Sequence, residues 1–172
     1  FEFIQRKYAE AVGALDVNEV RVDEQLCQQL KEGGREAANI FCLAYLLFDK
    51  GCFPHHSSAE DMREILDLFF HCETTTMTCD ALATLAATLA NGGVCPITDK
   101  RVFSAVAVRN CLAIMYSCGQ GEASGDYAFH IGTPSISSST GCTLIVIPGV
   151  TGFCIWSPKL DSLGNSVRAM AF

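Results

Sequence analysis

Ten cysteines and four histidines are the side chains of this sequence that could bind a metal ion, form disulfides or take part in catalysis. No two cysteines are spaced as Cys-x-x-Cys and no two histidines as His-x-x-x-His, so the spacing does not support a zinc site. Most of the cysteines lie in apolar stretches, as Cys111 does in Asn-Cys-Leu-Ala-Ile. We therefore expect free, buried thiols in a reducing compartment, and neither a metal nor a cofactor.

Single polar residues are weaker candidates for chemistry. His130 is expected to be a structural, hydrogen-bonded side chain rather than a base. The adjacent His55 and His56 lie in a polar segment beside two serines and indicate no site. Asp161 and Asn165 flank a glycine and are expected to order a turn.

Length and composition predict one mildly acidic globular domain. The 172 residues are 49% hydrophobic and carry a net charge of −7 without a basic stripe, which disfavours a nucleic-acid partner. The longest apolar run, from Cys142 to Trp156, is broken by Pro148 and is shorter than the ~18 residues of a membrane helix. The chain starts without Met and ends within a helical pattern, so we expect it to be part of a longer protein.

Apolar periodicity and capping residues predict helices over most of the first two thirds of the chain. Helices are expected over 2–12 and 34–48. Leu15 and Val17 are further apolar residues that follow the first of these helices. Ser58 with Asp61, Thr78 and Ser104 are the predicted N-terminal caps of three more helices. The second of these helices, over about 79–90, is rich in alanine, which predicts close approach to a neighbouring element.

The last third of the sequence has a different character. Residues 119–139 are rich in glycine, serine and threonine and predict an ordered functional loop. Two continuous apolar runs, 143–147 and 152–156, flank Pro148-Gly149 and predict an antiparallel hairpin covered on both faces. A short helix is expected at the end. Helices followed by a hairpin predict an α+β fold.

Several sequence motifs are similar to those of the serine-dependent glutaminases. The similarity is greater to the animal enzymes than to the bacterial ones. The similarity extends from about residue 32 to the end of the chain. The matching motifs include Ala-Ala-Thr-Leu-Ala-Asn-Gly-Gly at 86–93, Met-x-Ser-Cys-Gly at 115–119, Gly-x-x-Ala-Phe-His-x-Gly-x-Pro at 125–134 and Trp-Ser-Pro-x-Leu-Asp-x-x-Gly-Asn-Ser-Val at 156–167. The Ala-Asn-Gly-Gly and Trp-Ser-Pro motifs are the specific ones.

The resemblance implies a β-lactamase-like fold and hydrolysis of the side-chain amide of L-glutamine to glutamate and ammonia. In that chemistry a serine attacks the amide carbon, a lysine and a tyrosine move protons, and backbone N–H groups hold the oxyanion. The serine belongs to a Ser-x-x-Lys element, which this chain lacks. Residues 1–172 are therefore expected to be the carboxy-terminal part of a single glutaminase domain without its nucleophile, and inactive alone.

The resemblance also implies which residues contact the substrate. Glu32 and Asn39 match the family's glutamate and asparagine that hold the α-amino and α-carboxyl groups. A carboxylate pairs with an ammonium group, and an amide can both donate and accept hydrogen bonds. Without the resemblance, both would be interpreted as solvated surface residues.

Four positions depart from the family pattern. Phe69 stands where the family has a tyrosine that contacts the substrate, so the ring is kept and the hydroxyl group is lost. Gly121 stands where the family has a second tyrosine, which moves protons. Ile136 and Ser139 replace the lysine and the valine of a Lys-Ser-Gly-Val element, although Ser139 retains the backbone N–H that would hold the oxyanion. General acid–base catalysis contributes ~10²–10⁴-fold, so the loss of the second tyrosine threatens activity.

Two functions therefore stay open at this point. The first is a glutaminase that acts on glutamine together with the remainder of its domain. The alternative is a diverged, non-catalytic relative that retains the fold and glutamine binding or subunit assembly. The resemblance further implies a homo-oligomer, commonly a tetramer with residues 33–41 near a subunit interface, and a mitochondrial location.

Overall fold

The structure, a computed structural model, describes residues 1–14, 20–54 and 58–172. Leu15, Val17 and the His55-His56 pair lie outside the described residues. The chain divides into two compact units: the first comprises Phe1–Phe3 and Val20–Thr76, and the second comprises Ile4–Glu19 and Met77–Phe172. Helices and small antiparallel sheets together make an α+β fold, as predicted.

The first unit contains a two-stranded sheet and three helices. Strands β1 (Arg21–Val22) and β2 (Thr75–Thr76) pair antiparallel. The first helix of the chain is α1 (Glu2–Val12). The three helices of this unit are α2 (Glu24–Glu32), α3 (Gly34–Asp49) and α4 (Ala59–Glu73). A core formed by all three helices holds them together: Cys27 from α2, Ala44 from α3, and Met62, Leu66 and Phe70 from α4.

Local hydrogen bonds explain where these helices begin. Ser58 and Asp61 form the predicted capping box, in which each side chain accepts from the other residue's backbone N–H. Asp23 caps α2 by accepting from the N–H of Leu26. The sequence analysis did not predict α2, because only Leu26, Cys27 and Leu30 are apolar among its nine residues.

The second unit contains most of α1, since it includes Ile4–Glu19, and all the elements that follow β2. The elements after β2 are α5 (Cys79–Ala90), α6 (Ala105–Cys118), a 3₁₀ turn (Gly121–Ala123), α7 (Ser124–His130), β3 (Ser135–Ser137), β4 (Cys142–Ile147), β5 (Thr151–Trp156) and α8 (Val167–Ala171). The side chains of Thr78 and Ser104 cap α5 and α6, which confirms both predicted starts. Strands β3, β4 and β5 form an antiparallel sheet in that order.

Helix α5 packs against the hairpin at backbone distance. A methyl group on Gly152 of β5 would lie 2.2 Å from the carbonyl carbon of Ala86, so the two backbones are nearly in contact. The N–H of Gly149, in the predicted Pro-Gly turn, donates to the carbonyl of Ala90 at 2.8 Å. The alanine-rich sequence of α5 thus has the close neighbour that it predicted, and Ala86 and Ala90 share a core with Val146.

Two expectations about the last third of the chain are wrong. Residues 119–139 are not one loop, because they include the 3₁₀ turn, α7 and β3. Asp-Tyr-Ala-Phe-His at 126–130 forms most of α7, and Ser135–Ser137 pairs with β4. The hairpin is not covered on both faces in this chain. Strand β5 is only half-buried along its length, and Trp156 is 60% exposed.

The expected burial of the cysteines is also wrong for most of them. All ten are free, as predicted, but only Cys27 and Cys95 are buried. Cys111 is exposed although its sequence neighbours are apolar, and it lines an apolar cavity together with Val108 and Met115 on the same side of α6. An apolar neighbourhood in sequence does not bury a side chain in a helix, where neighbours point in different directions.

Candidate functional site

Glu32 is the last residue of α2 and is exposed. Its side chain accepts a hydrogen bond from the Nε2 of Gln28, one turn earlier on the same helix. The carboxylate therefore stands at the end of a helix, held by its own helix and open to solvent. Such a carboxylate is available to pair with a cation.

An ion pair ties the end of α2 to α4. Lys31, next to Glu32, donates to the Oδ1 of Asp67. The hydrogen bond between them raises the pKa of Lys31 and lowers the pKa of Asp67. His71 Nδ1 lies 3.4 Å from the Oδ2 of Asp67 and hydrogen-bonds its backbone carbonyl at 2.7 Å. These contacts fix the end of the helix that carries Glu32.

Asn39 and Phe69 lie on the other two helices of the first unit. Asn39 is exposed and lies inside α3, five residues after the helix begins at Gly34. Phe69 is 41% exposed on α4, and its ring packs edge-on against Phe70 at a centroid distance of 5.8 Å. The three helices that carry Glu32, Asn39 and Phe69 share one core, so their relative placement is fixed by packing.

The segment around Gly121 in the second unit is joined to β3. The N–H of Ser137 donates to the carbonyl of Gly119 at 2.8 Å. The backbones lie so close that a methyl group on Gly119 would be 1.7 Å from the carbonyl oxygen of Ser135. Gly121 itself has φ +58 with nothing within 4 Å of its missing side chain. This conformation favours glycine, so a tyrosine here would carry backbone strain.

Gln120 connects three parts of the second unit and was missed by the sequence analysis. It is 1% exposed, and its Nε2 donates to the Oγ of Ser135 at 2.8 Å. Its backbone N–H donates to the Oγ of Ser124, and its carbonyl accepts from the Nδ2 of Asn165. A glutamine in a Gly-x-Gly context gives no local signal of burial, because its partners lie 4 to 45 positions away.

Ile136 stands where the family pattern has lysine, and it lines an apolar cavity of about 390 Å³. The other walls include Leu89 of α5, Val108 and Met115 of α6, and Leu144 of β4. An aliphatic side chain suits this apolar wall, and Ile136 is also 45% exposed to solvent.

Ser139 lies in the turn between β3 and β4 and is exposed. In the part of the chain that the structure describes, its backbone N–H has no acceptor. The turn around it is ordered, because Ser138 N–H donates to the carbonyl of Cys142 at 2.8 Å and Gly141 N–H donates to that of Ser138 at 2.9 Å. The N–H of Ser139 can therefore donate to an anion from a fixed backbone.

The Trp-Ser-Pro segment at 156–158 is hydrogen-bonded to this turn. Trp156 Nε1 donates to the carbonyl of Thr140 at 3.1 Å, and the N–H of Ser157 donates to the carbonyl of Gly141 at 2.9 Å. The half-exposed tryptophan is thus a support for the turn that contains Ser139. Hairpin register, which pairs Trp156 with Cys142, is the signal that could have revealed it.

The remaining candidates have structural partners. His130 Nδ1 hydrogen-bonds the carbonyl of Asp126 at 3.0 Å, which agrees with the structural role predicted for it. The Oδ1 of Asp161 accepts from the N–H groups of Leu163 and Asn165, both at 2.9 Å, which confirms the predicted turn. Among residues 1–14, 20–54 and 58–172, no three or more His, Cys, Asp or Glu residues are arranged to hold a metal ion. No helix there is both long enough and apolar enough to span a bilayer.

Comparisons with known proteins place these features in a family. The glutaminase family model matches residues 1–172. The mitochondrial liver isoform of glutaminase from Rattus norvegicus is 47% identical over 132 residues, which are 77% of this chain and 21% of the relative. A glutaminase from Clostridium tetani is 34% identical over 88% of this chain and 47% of the relative.

Solved structures give the same result. The probable glutaminase ybaS superposes with a TM-score of 0.82 at 34% identity, over 97% of this chain and 50% of that chain. Mglu in its glutamate form superposes with a TM-score of 0.81 at 26% identity, over 95% of this chain and 35% of that chain. The chain thus spans about a fifth of the rat relative and half of the first structure. It belongs to the glutaminase family.

Proposed function

We propose that residues 1–172 are the carboxy-terminal part of a β-lactamase-like glutaminase domain, and that the longer protein hydrolyses L-glutamine to L-glutamate and ammonia. The match of the glutaminase family model over the whole chain carries this proposal. No metal or cofactor is needed, because the reaction is an acyl transfer through a serine.

In the proposed mechanism, residues of α2, α3 and α4 bind the amino-acid end of glutamine. The exposed Glu32 carboxylate pairs with the α-ammonium group, and the Asn39 amide donates to the α-carboxylate. The ion pair between Lys31 and Asp67 keeps Glu32 in place. Phe69 contacts the substrate through its aromatic ring, which lacks the hydroxyl group of the family's tyrosine.

The turn between β3 and β4 stabilises the reacting amide in this proposal. The N–H of Ser139 donates to the oxyanion that forms when the nucleophile attacks the side-chain carbonyl. The attacking serine belongs to a Ser-x-x-Lys element outside these 172 residues, so the chain alone is expected to release no ammonia. A homotetramer and a mitochondrial location complete the proposal. The rat relative is a mitochondrial isoform, which supports the second of these.

A non-catalytic relative that still binds glutamine is the second candidate, and one observation favours it. Phe69 and Gly121 both lack the hydroxyl groups of the family's tyrosines, and Gly121 has a backbone conformation that favours glycine over tyrosine. Neither Tyr116 nor Tyr127 occupies the matching position. A proton-transfer group lost at Gly121 would leave binding intact and slow turnover by ~10²–10⁴-fold.

Ammonia release from L-glutamine by the full-length protein tests both candidates. We expect turnover by the wild type, and its loss in Glu32→Gln with an increased KM for any residual activity. Gln28→Ala, which removes only the neighbour of Glu32, is the matched control and should retain turnover. A silent wild type that binds glutamine in calorimetry would support the second candidate, and a silent wild type that does not bind would overturn both.

The double variant Phe69→Tyr, Gly121→Tyr separates lost chemistry from lost structure. If only this variant releases ammonia, the protein is a glutaminase scaffold that lost its proton transfer at these positions. Gly121→Ala is the control, because it introduces the backbone strain at φ +58 without the hydroxyl group.

A further inference from the structure

Three cysteine thiols of the second unit meet where α5 begins against the hairpin. Cys79 Sγ lies 3.3 Å from the Sγ of Cys154, and Cys142 Sγ lies 3.5 Å from the same sulfur. Cys154 is therefore the shared neighbour of the other two. In the described part of the chain, no other cysteine is hydrogen-bonded to a second cysteine sulfur.

The fold places these thiols by two independent features. In the hairpin, Cys142 pairs with Trp156 and Cys154 pairs with Leu144, so the two cysteines are diagonal neighbours on one face of the sheet. Helix α5 packs on that face, as the contact between Gly152 and Ala86 shows. Cys79 is the first residue of α5 and so reaches Cys154 from the helix side.

The thiols are also reachable from solvent. Cys79 is exposed, and Cys142 and Cys154 are partly buried. A small oxidant can reach the site, while the packing of α5 on β5 keeps the sulfurs together. Closing a disulfide from these distances requires the two sulfurs to approach by about 1.5 Å, to the usual ~2.05 Å.

We propose that Cys79, Cys142 and Cys154 form an oxidant-sensitive thiol site, in which hydrogen peroxide drives formation of a reversible disulfide between Cys154 and one of its two neighbours. The Cys142 sulfur attacks one peroxide oxygen, the O–O bond breaks, and water leaves once the departing oxygen takes a proton. Cys142 becomes a sulfenic acid.

The sulfenic acid is then resolved by the adjacent thiol. The sulfur of Cys154 attacks the sulfur of Cys142, the S–O bond breaks, and a second water leaves with the proton of Cys154. Two thiols and one peroxide give one disulfide and two waters. Cys79 can exchange into this disulfide by attacking Cys154, which releases Cys142 as a thiol and links α5 to β5.

The assignment of Cys142 as the attacking thiol has electrostatic support. The hydrogen bond from Cys154 lowers the pKa of Cys142, so a larger share of it is thiolate at neutral pH than of an ordinary cysteine. The same hydrogen bond raises the pKa of Cys154, which makes Cys154 the resolving partner rather than the first nucleophile.

Peptide mapping after peroxide treatment tests the proposal. The purified full-length protein is treated with hydrogen peroxide at pH 7, free thiols are alkylated, and the protein is digested with chymotrypsin, which cuts after Leu144 and Phe153 and so separates Cys142 from Cys154. We expect Cys154 to appear in a disulfide with Cys142 or Cys79 that dithiothreitol cleaves. Cys142→Ser should oxidise at least ~10-fold more slowly.

Variants identify the central sulfur. Cys154→Ser should give no disulfide among the three positions, and Cys154→Ala should behave in the same way. Cys118→Ser, which removes an exposed cysteine at the end of α6, is the matched control and should retain the wild-type disulfide. The proposal is overturned if Cys154 is recovered as a free, alkylated thiol from the oxidised wild type. It is also overturned if Cys79 and Cys142 form a disulfide equally well in the Cys154 variants. A circular dichroism melt checks that each variant is folded.

Discussion

Gly119→Ala is the substitution for which the structure predicts the clearest loss of stability. The added methyl carbon would lie 1.7 Å from the carbonyl oxygen of Ser135 and 2.5 Å from that of Met115. Both neighbours are backbone atoms, which cannot rotate away. The two segments must therefore separate by about 1.5 Å to restore an ordinary contact of about 3.2 Å.

That separation breaks specific hydrogen bonds. The bond from Ser137 N–H to the Gly119 carbonyl and the bond from Gln120 Nε2 to Ser135 Oγ both have a length of 2.8 Å and join the two segments that move apart. Each contributes about 1 kcal/mol, and leaving the buried Gln120 amide unpaired costs about 1–3 kcal/mol more. We expect a loss of about 3–5 kcal/mol in the free energy of unfolding, or about 6–20 °C in Tm.

Urea unfolding followed by circular dichroism measures this loss. Gly125→Ala is the control, because Gly125 lies inside α7 with nothing within 4 Å of its missing side chain. The control should be neutral or stabilising by up to about 1 kcal/mol. A loss below about 1 kcal/mol in Gly119→Ala would refute the close approach of the two backbones.

Two further predictions concern single contacts. Asp67→Asn should lose at most about 1 kcal/mol, because the Lys31 pair is largely exposed. Since the pKa of Asp67 is lowered in the folded state, its contribution is present above about pH 4 and is lost as pH falls further. Urea unfolding should therefore separate wild type from variant at pH 7 but not at pH 2. Thr88→Val removes the buried 2.7 Å hydrogen bond from Oγ1 to the Ala11 carbonyl and should cost about 1–3 kcal/mol. Thr84→Val, on the same helix, loses only a bond to its own helix and should cost less than half as much in the same unfolding assay.

The elements that the sequence predicted are those defined by local interactions. Ser58, Thr78 and Ser104 each cap a helix through contacts within three residues, and the hairpin follows from the Pro-Gly turn between two apolar runs. Helix α2 was missed because it is short and mostly polar. Helix α7 was missed because glycine and serine at its start resemble loop composition, whereas tertiary contacts through Tyr127 stabilise it.

The candidate site was predictable in residue type but not in geometry. Glu32 and Asn39 could be named from the family pattern, and both are exposed on helices that share a core. The support of Ser139 by Trp156 depends on strand register. The burial of Gln120 depends on contacts between residues up to 45 positions apart. Such contacts leave no local pattern, because each partner is an ordinary residue in its own segment.

The packing of α5 on β5 has a consequence for protein synthesis. Cys79 and Cys154, at one end of this contact, are 75 positions apart. At a synthesis rate of about 5–20 residues per second, α5 leaves the ribosome about 4–15 s before its partner strand is complete. During this interval the alanine- and leucine-rich face of the nascent helix is open to chaperones and to neighbouring chains. Slower translation between residues 90 and 150 should therefore increase aggregation of this protein.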